Sequence, residues 1–278
     1  MSAPAIPAME TLLLERTPPV AQLVLSRPER RNALSSQMWE ELAALGRAIG
    51  GDEEIRALVV RGAGPSFCAG ADLDVLRGRA GTLGALIADP ATTDDAYLDC
   101  LDGMYAAYRW LRGAPFVTIA AIHGHALGGG LELALACDLR IAAESAQLGL
   151  PELRLGVIPD MGATALLPRL VGEARAKELH LLCDSIGAAE AERIGMVNRV
   201  VPDAELLPAC EALAGRIAAL PPLAMRAARE AIDGAAGRPL ADAVRLAARL
   251  QLACFRSADR DEALAAFTER RAGVYRGC

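Results

Sequence analysis

The sequence predicts an α/β fold built on a mostly parallel, layered sheet, and three observations predict it. Short apolar runs alternate with segments of helical period as far as about residue 201. A glycine turn follows an apolar strand more than once, at Gly62-Ala63-Gly64 and at Gly128-Gly129-Gly130. From about 203 to 271 the chain reads as helix throughout, with too few Gly or Pro breaks to make a separate fold.

Taken in order, residues 12–15 and 20–25 read as two short strands joined through Thr17-Pro18-Pro19. Residues 36–49 place Met38, Leu42, Leu45 and Ile49 at helical spacing, and 55–60 return to strand. Residues 74–95 mix Gly, Ala, Thr, Asp and one Pro with little period, which predicts a mobile, pocket-shaping loop before an amphipathic helix over 96–112. Strands follow at 116–122 and 138–142, helices from Met161 and from Glu173, and a last short strand at 196–201. The expected division is a core over 1–202 and a helical docking or oligomerising region over 203–278.

Composition narrows the function. With 278 residues, 53% hydrophobic and 23% charged, the chain is long enough to bury a large core. A net charge of −6 and no run of four Lys/Arg argue against a nucleic-acid partner. No apolar run reaches the ~20 residues of a membrane span, and Met1-Ser2-Ala3-Pro4-Ala5-Ile6-Pro7 lacks the form of a signal peptide. A cytoplasmic protein with no membrane partner is expected. Seven scattered cysteines, odd in number and mostly among apolar neighbours, read as free thiols, and no metal site is expected.

The chemistry concentrates where Ile122 leads through Gly124 and Gly128-Gly129-Gly130 to Glu132. Glycines let backbone approach a ligand, and the free N–H groups at a helix start point along its positive dipole end. A second acid, Glu152, stands twenty positions further on, after a predicted strand, in Leu150-Pro151-Glu152. Backbone donors beside two carboxylates suggest proton transfer next to a carbonyl.

Four motifs in order carry a resemblance over nearly the whole chain. They are Leu25-Ser26-Arg27-Pro28 with Asn32-Ala33-Leu34; Phe67-Cys68-Ala69-Gly70-Ala71-Asp72; His123-Gly124-His125-Ala126-Leu127-Gly128-Gly129-Gly130 with Glu132; and Pro151-Glu152 with Leu155-Gly156-Val157-Ile158-Pro159. In these the chain resembles the crotonase (enoyl-CoA hydratase/isomerase) superfamily. The resemblance implies a spiral of ββα units, a C-terminal helical region that packs in trimers or dimers of trimers, and acyl-CoA thioesters as substrates. It implies no cofactor beyond the coenzyme A of the substrate.

By that resemblance the Ala71 and Gly129 N–H groups form an oxyanion hole. Glu132 and Glu152 fall on the acid/base positions of the hydratases, Glu132 taking a proton from water and Glu152 protonating Cα. Contacts to coenzyme A are expected around Arg30, Arg31 and Ala33, and around Ala69, Gly70, Asp72, Leu73, Asp74 and Gly128. Asp160 is open to three readings: N-cap of the helix that follows it, the second acid/base of a dienoyl-CoA isomerase working with Glu152, or a pocket-shaping residue. His123 and His125 read as structural. The leading expectation is a hydratase adding water to a 2-trans-enoyl-CoA; a double-bond isomerase and a non-catalytic acyl-CoA-binding subunit are the alternatives.

Overall fold

In the computed structural model, which describes residues 5–278, a six-stranded sheet forms the centre of the molecule. Residues 1–4, part of the start read above for a leader, lie outside the described residues. Strands β1 (Leu12–Thr17) and β2 (Val20–Leu25) form an antiparallel hairpin, and β2 then pairs in parallel with β3 (Ala57–Gly62). β4 (Val117–Ile122) follows in parallel, and after a turn the chain leaves the sheet as β5 (His125–Leu127). β6 (Leu139–Ala143) and β9 (Arg199–Val201) complete the order β1-β2-β3-β4-β6-β9. A smaller sheet sets β5 parallel to β7 (Gln147–Gly149), which pairs antiparallel with β8 (Ile186–Gly187).

Every residue of β4 is buried, because a parallel strand in this position is covered on both faces. Leu58, Val60, Ala120 and Ile122 face a large core shared with α1 (Ser36–Ile49), α4 (Asp94–Gly113) and α5 (Gly129–Ala136). Val59, Val117, Ile119 and Ala121 face a second core closed by Leu206, Cys210 and Ala214 of α9 (Leu206–Ala218). The first helix of the expected appendage therefore packs on the sheet. Ser35 and Thr93 cap α1 and α4 through their hydroxyls. The two helices cross closely at Gly46, where a Cβ would lie 2.3 Å from the Trp110 ring.

The expected loop at 74–95 is not one. It contains α2 (Leu73–Leu76) and α3 (Gly81–Ala88), the first capped by the Asp72 carboxylate, which accepts from the Asp74 N–H at 3.1 Å. Beyond the small sheet lie α6 (Ala163–Val171), α7 (Glu173–Leu182) and α8 (Ala188–Arg193), and after α9 come α10 (Pro222–Ala235), α11 (Leu240–Phe255) and α12 (Ala258–Glu269). Among the described residues no single helix is long and apolar enough to cross a membrane. All seven cysteines are free; four are buried, Cys100 and Cys254 half-buried and Cys278 exposed.

Candidate active site

Residues 68–72 are stitched between two neighbours. Cys68 donates its N–H to the His125 carbonyl at 3.0 Å and accepts from the Leu127 N–H at 3.0 Å. On the other side Leu34 donates to the Gly70 carbonyl at 2.8 Å and Asp72 donates to the Leu34 carbonyl at 3.0 Å. This pattern uses the Gly70 carbonyl and the Asp72 N–H, on either side of Ala71, and leaves the Ala71 N–H unused. Across from it, Gly128 adopts φ 51° and ψ −128°, a conformation open to glycine, and turns the chain so that Gly129 starts α5. Among the described residues neither the Ala71 nor the Gly129 N–H has a hydrogen-bond partner. The two lie side by side, since a Cβ on Gly129 would come 3.9 Å from the Ala71 nitrogen. The buried Tyr108 hydroxyl donates to the Gly129 carbonyl at 2.5 Å and fixes the turn from below.

Both amides open into a cavity of about 560 Å³ that also holds Glu132, Glu152 and Asp160. Glu132 is 2% exposed. Its Oε1 accepts from the backbone N–H groups of Met161 (3.0 Å) and Ala163 (2.9 Å), at the start of α6. Glu152 follows β7 in a short 3-10 turn, Glu152–Leu155, and its Oε2 is buried with no partner among the described residues. Its other oxygen lies over Gly128, where a Cβ would come within 2.8 Å of it.

Burial is the main force on these acids. It pushes Glu132 up to about 8, opposed by the Ala163 and Met161 amides and helped by the charges of Glu152 and Asp160. It pushes Glu152 up to about 6, again with help from Asp160. Asp160 is also raised by burial, with the Tyr97 hydroxyl at 3.5 Å favouring its charged form.

The first expectation for Asp160 is corrected here. The residue at the N-cap position of α6 is Gly162, with φ 122°, and no side chain of the cap residue bonds to the helix. Glu132 instead takes the α6 amides from another element, so the Asp160 carboxylate is left to the cavity.

Of the residues expected to hold coenzyme A, Arg30, Ala33, Ala69, Gly70, Asp72, Leu73 and Gly128 line the cavity. Two lie apart from it. Arg31 is exposed, and its carbonyl accepts from the Ala69 N–H, while Asp74 sits in the first turn of α2, 3.9 Å from Arg77. Asp72 has a structural task too, an ion pair with Arg27 at 3.0 Å. Both histidines are engaged away from the acids: His123 with the Gly64 carbonyl at 3.0 Å, and His125 with the Ser66 hydroxyl at 3.4 Å.

Several cavity residues were not singled out from the sequence as site residues: Trp39 on α1, Leu83 and Ile87 on α3, Tyr97, Leu101 and Met104 on α4, and Arg154. The signal for those on α3 and α4 was the pocket-shaping segment read over 74–95 and the helix after it; from the fourth motif, Leu155, Val157 and Ile158 also stand exposed at the cavity rim.

The sequence profile of the family described as enoyl-CoA hydratase/isomerase matches residues 15–277. A Mycobacterium tuberculosis protein named a probable enoyl-CoA hydratase is 38% identical, the match covering 95% of this chain and 96% of the relative. An enoyl-CoA isomerase/hydratase of Mycosarcoma maydis is 36% identical with both chains covered in full. A Thermobifida fusca structure in complex with acetoacetyl-CoA superposes with a TM-score of 0.81 at 39% identity, covering 88% of this chain and 94% of that one.

Proposed function

The chain belongs to the enoyl-CoA hydratase/isomerase family, the crotonase superfamily, and from that premise we propose that it adds water to a 2-trans-enoyl-CoA to give the 3-hydroxyacyl-CoA. The observation that carries this reading is the pairing of two free amides with two acids in one cavity. Charge on a thioester oxygen needs donors already in place, and each such donor is worth roughly 3–4 kcal/mol in the transition state. Ala71 and Gly129 supply them. The enolate that forms must gain a proton at Cα while water adds at Cβ, so one acid must be protonated while the other is ionised.

Folded-state values of about 8 and about 6 give that one-proton state between them. In the free site the proton sits on Glu132. The expected roles, Glu132 as base toward water and Glu152 as acid toward Cα, have it pass to Glu152 as water and substrate enter. The partnerless Glu152 Oε2 is the atom left to make that contact. The reaction so written needs no cofactor beyond the coenzyme A its substrate carries.

A second reading is favoured by one observation: Asp160 is free of the α6 amides and faces the cavity. With Glu152 it could shuttle a proton along a conjugated chain and isomerise a dienoyl-CoA. Crotonyl-CoA and a 3,5-dienoyl-CoA, followed by enoyl-thioester absorbance, separate the two. Hydration of crotonyl-CoA that falls 10²–10⁴-fold in Glu152→Gln and only a few-fold in Asp160→Asn is the expected result. Growth of a 2,4-dienoyl chromophore, lost in Asp160→Asn and without hydration, replaces the hydratase by the isomerase. Thioester binding with no turnover of either substrate makes the chain a binding subunit. For assembly we propose homotrimers or dimers of trimers, supported by the uncovered apolar faces of α11 and α12.

A further inference from the structure

Beside the first cavity lies a second, of about 310 Å³, between α1, α3 and α4. The two share Trp39, Leu83 and Met104, so the wall between them is one layer of side chains. Met104 is the member of that wall most easily rearranged, since its side chain is unbranched and soft. The floor of the second cavity is apolar, with Ala43 and Val75, and its rim is charged, with Glu40, Arg47 and Asp99.

Gly103 also lines it. This residue lies inside α4, where glycine weakens a helix relative to alanine. Neither a left-handed φ nor close packing demands a glycine there, because a Cβ would meet nothing within 4 Å. Its missing side chain leaves that stretch of the cavity wall bare.

We propose that the second cavity is the distal half of the acyl site: the methylenes of a medium or long linear acyl chain pass between Met104 and Leu83 and run along Gly103 toward the charged rim. The apolar floor suits methylenes, and the rim lies where the chain reaches solvent. This proposal rests on the acyl-CoA reading above and names the class of acyl group that the site takes.

The test is binding of saturated thioesters, which involves no turnover. Calorimetry on the wild-type protein should show dodecanoyl-CoA binding at least tenfold tighter than butyryl-CoA. Gly103→Phe, which fills the second cavity from a position with room for a side chain, should erase that gain and leave butyryl-CoA within about twofold. Cys100 gives a second readout on the unaltered protein, since it is half-buried in the same cavity. Dodecanoyl-CoA should slow its alkylation by N-ethylmaleimide at least tenfold, butyryl-CoA should not, and the exposed Cys278 should react equally in both. Equal affinity for the two thioesters together with an unprotected Cys100 overturns the proposal and leaves the acyl-CoA reading standing. Failure to bind either thioester sinks that reading and the proposal with it.

Discussion

Glu132 is a carboxyl whose position costs the protein stability at neutral and alkaline pH. Its value is about 8 in the folded chain against the ordinary 4.5, so folding favours the protonated form. The stabilising contribution is whole below about pH 4.5, falls as pH rises, and is gone above about 8. Glu132→Gln keeps an oxygen for the Met161 and Ala163 amides and removes the charge. It should therefore raise stability above pH 8 by roughly 2–4 kcal/mol and leave it nearly unchanged near pH 4.5. Thermal melts at the two pH values check this; a variant destabilised at both would mean the carboxylate is ionised and well paired in the fold. The same variant should lose hydration. In the wild type, kcat/KM should be bell-shaped, falling below about pH 6 and above about pH 8, because only the one-proton state of the pair works and the profile reports the pair rather than either residue. The sequence made both glutamates and the glycine turn legible, since these lie in local motifs. It left an N-cap reading of Asp160 open, because the rule for helix starts is local, whereas the amides at the start of α6 are taken by Glu132, 29 positions before Met161.

Arg229 of α10 ties that helix to the body by gathering the exposed ends of others. Its guanidinium donates to the carbonyls of Arg112, Ala114 and Phe116, where α4 ends and β4 begins, and pairs with Asp138 at 3.3 Å. Burial already raises the Asp138 carboxyl, and Arg229 is the main force holding it down. Arg229→Ala should cost about 3 kcal/mol, since it leaves a buried acid unpaired and three carbonyls without their donor. The check is the urea midpoint, and a shift below a few tenths of a kcal/mol would show that solvent replaces the guanidinium. Contacts of this kind bridge 91 to 117 positions and leave no trace in a sequence. Long periodic elements did leave one: the predicted helix over 36–49 and strand over 20–25 coincide with α1 and β2. Helix α3 did not, because Gly81-Thr82-Leu83-Gly84-Ala85-Leu86-Ile87-Ala88 has two glycines and no charged face to contrast with an apolar one. Of the small sheet only the strand before Leu150-Pro151-Glu152 was legible. Strands of three, three and two residues are too short for alternation to show.

At the scale of the whole molecule, the C-terminal helices carry an apolar surface that this chain alone does not cover. No residue of α11 is buried, and Leu240, Ile232 and Phe267 are 81%, 75% and 85% exposed. Surfaces of this kind on a lone chain mark contacts with another molecule. The tail beyond α12 is held against the body, with Asp259 accepting from the Arg276 and Gly277 amides and Arg56 donating to the Tyr275 carbonyl, so these faces are presented in a fixed orientation. Copies of the chain could cover one another's faces and leave each cavity, built from the helices and turns around the other core, complete within its own subunit. Sedimentation should then give a multiple of 29.1 kDa, a trimer or its dimer, and Phe267→Asp should shift the protein toward a single subunit by placing a charge in the apolar contact. If each cavity is complete, the dissociated variant should still bind butyryl-CoA, though with a lower melting temperature. Wild-type protein sedimenting as one subunit would defeat the assembly proposed from these faces. A dissociated variant unable to bind would mean that a neighbouring copy completes the site.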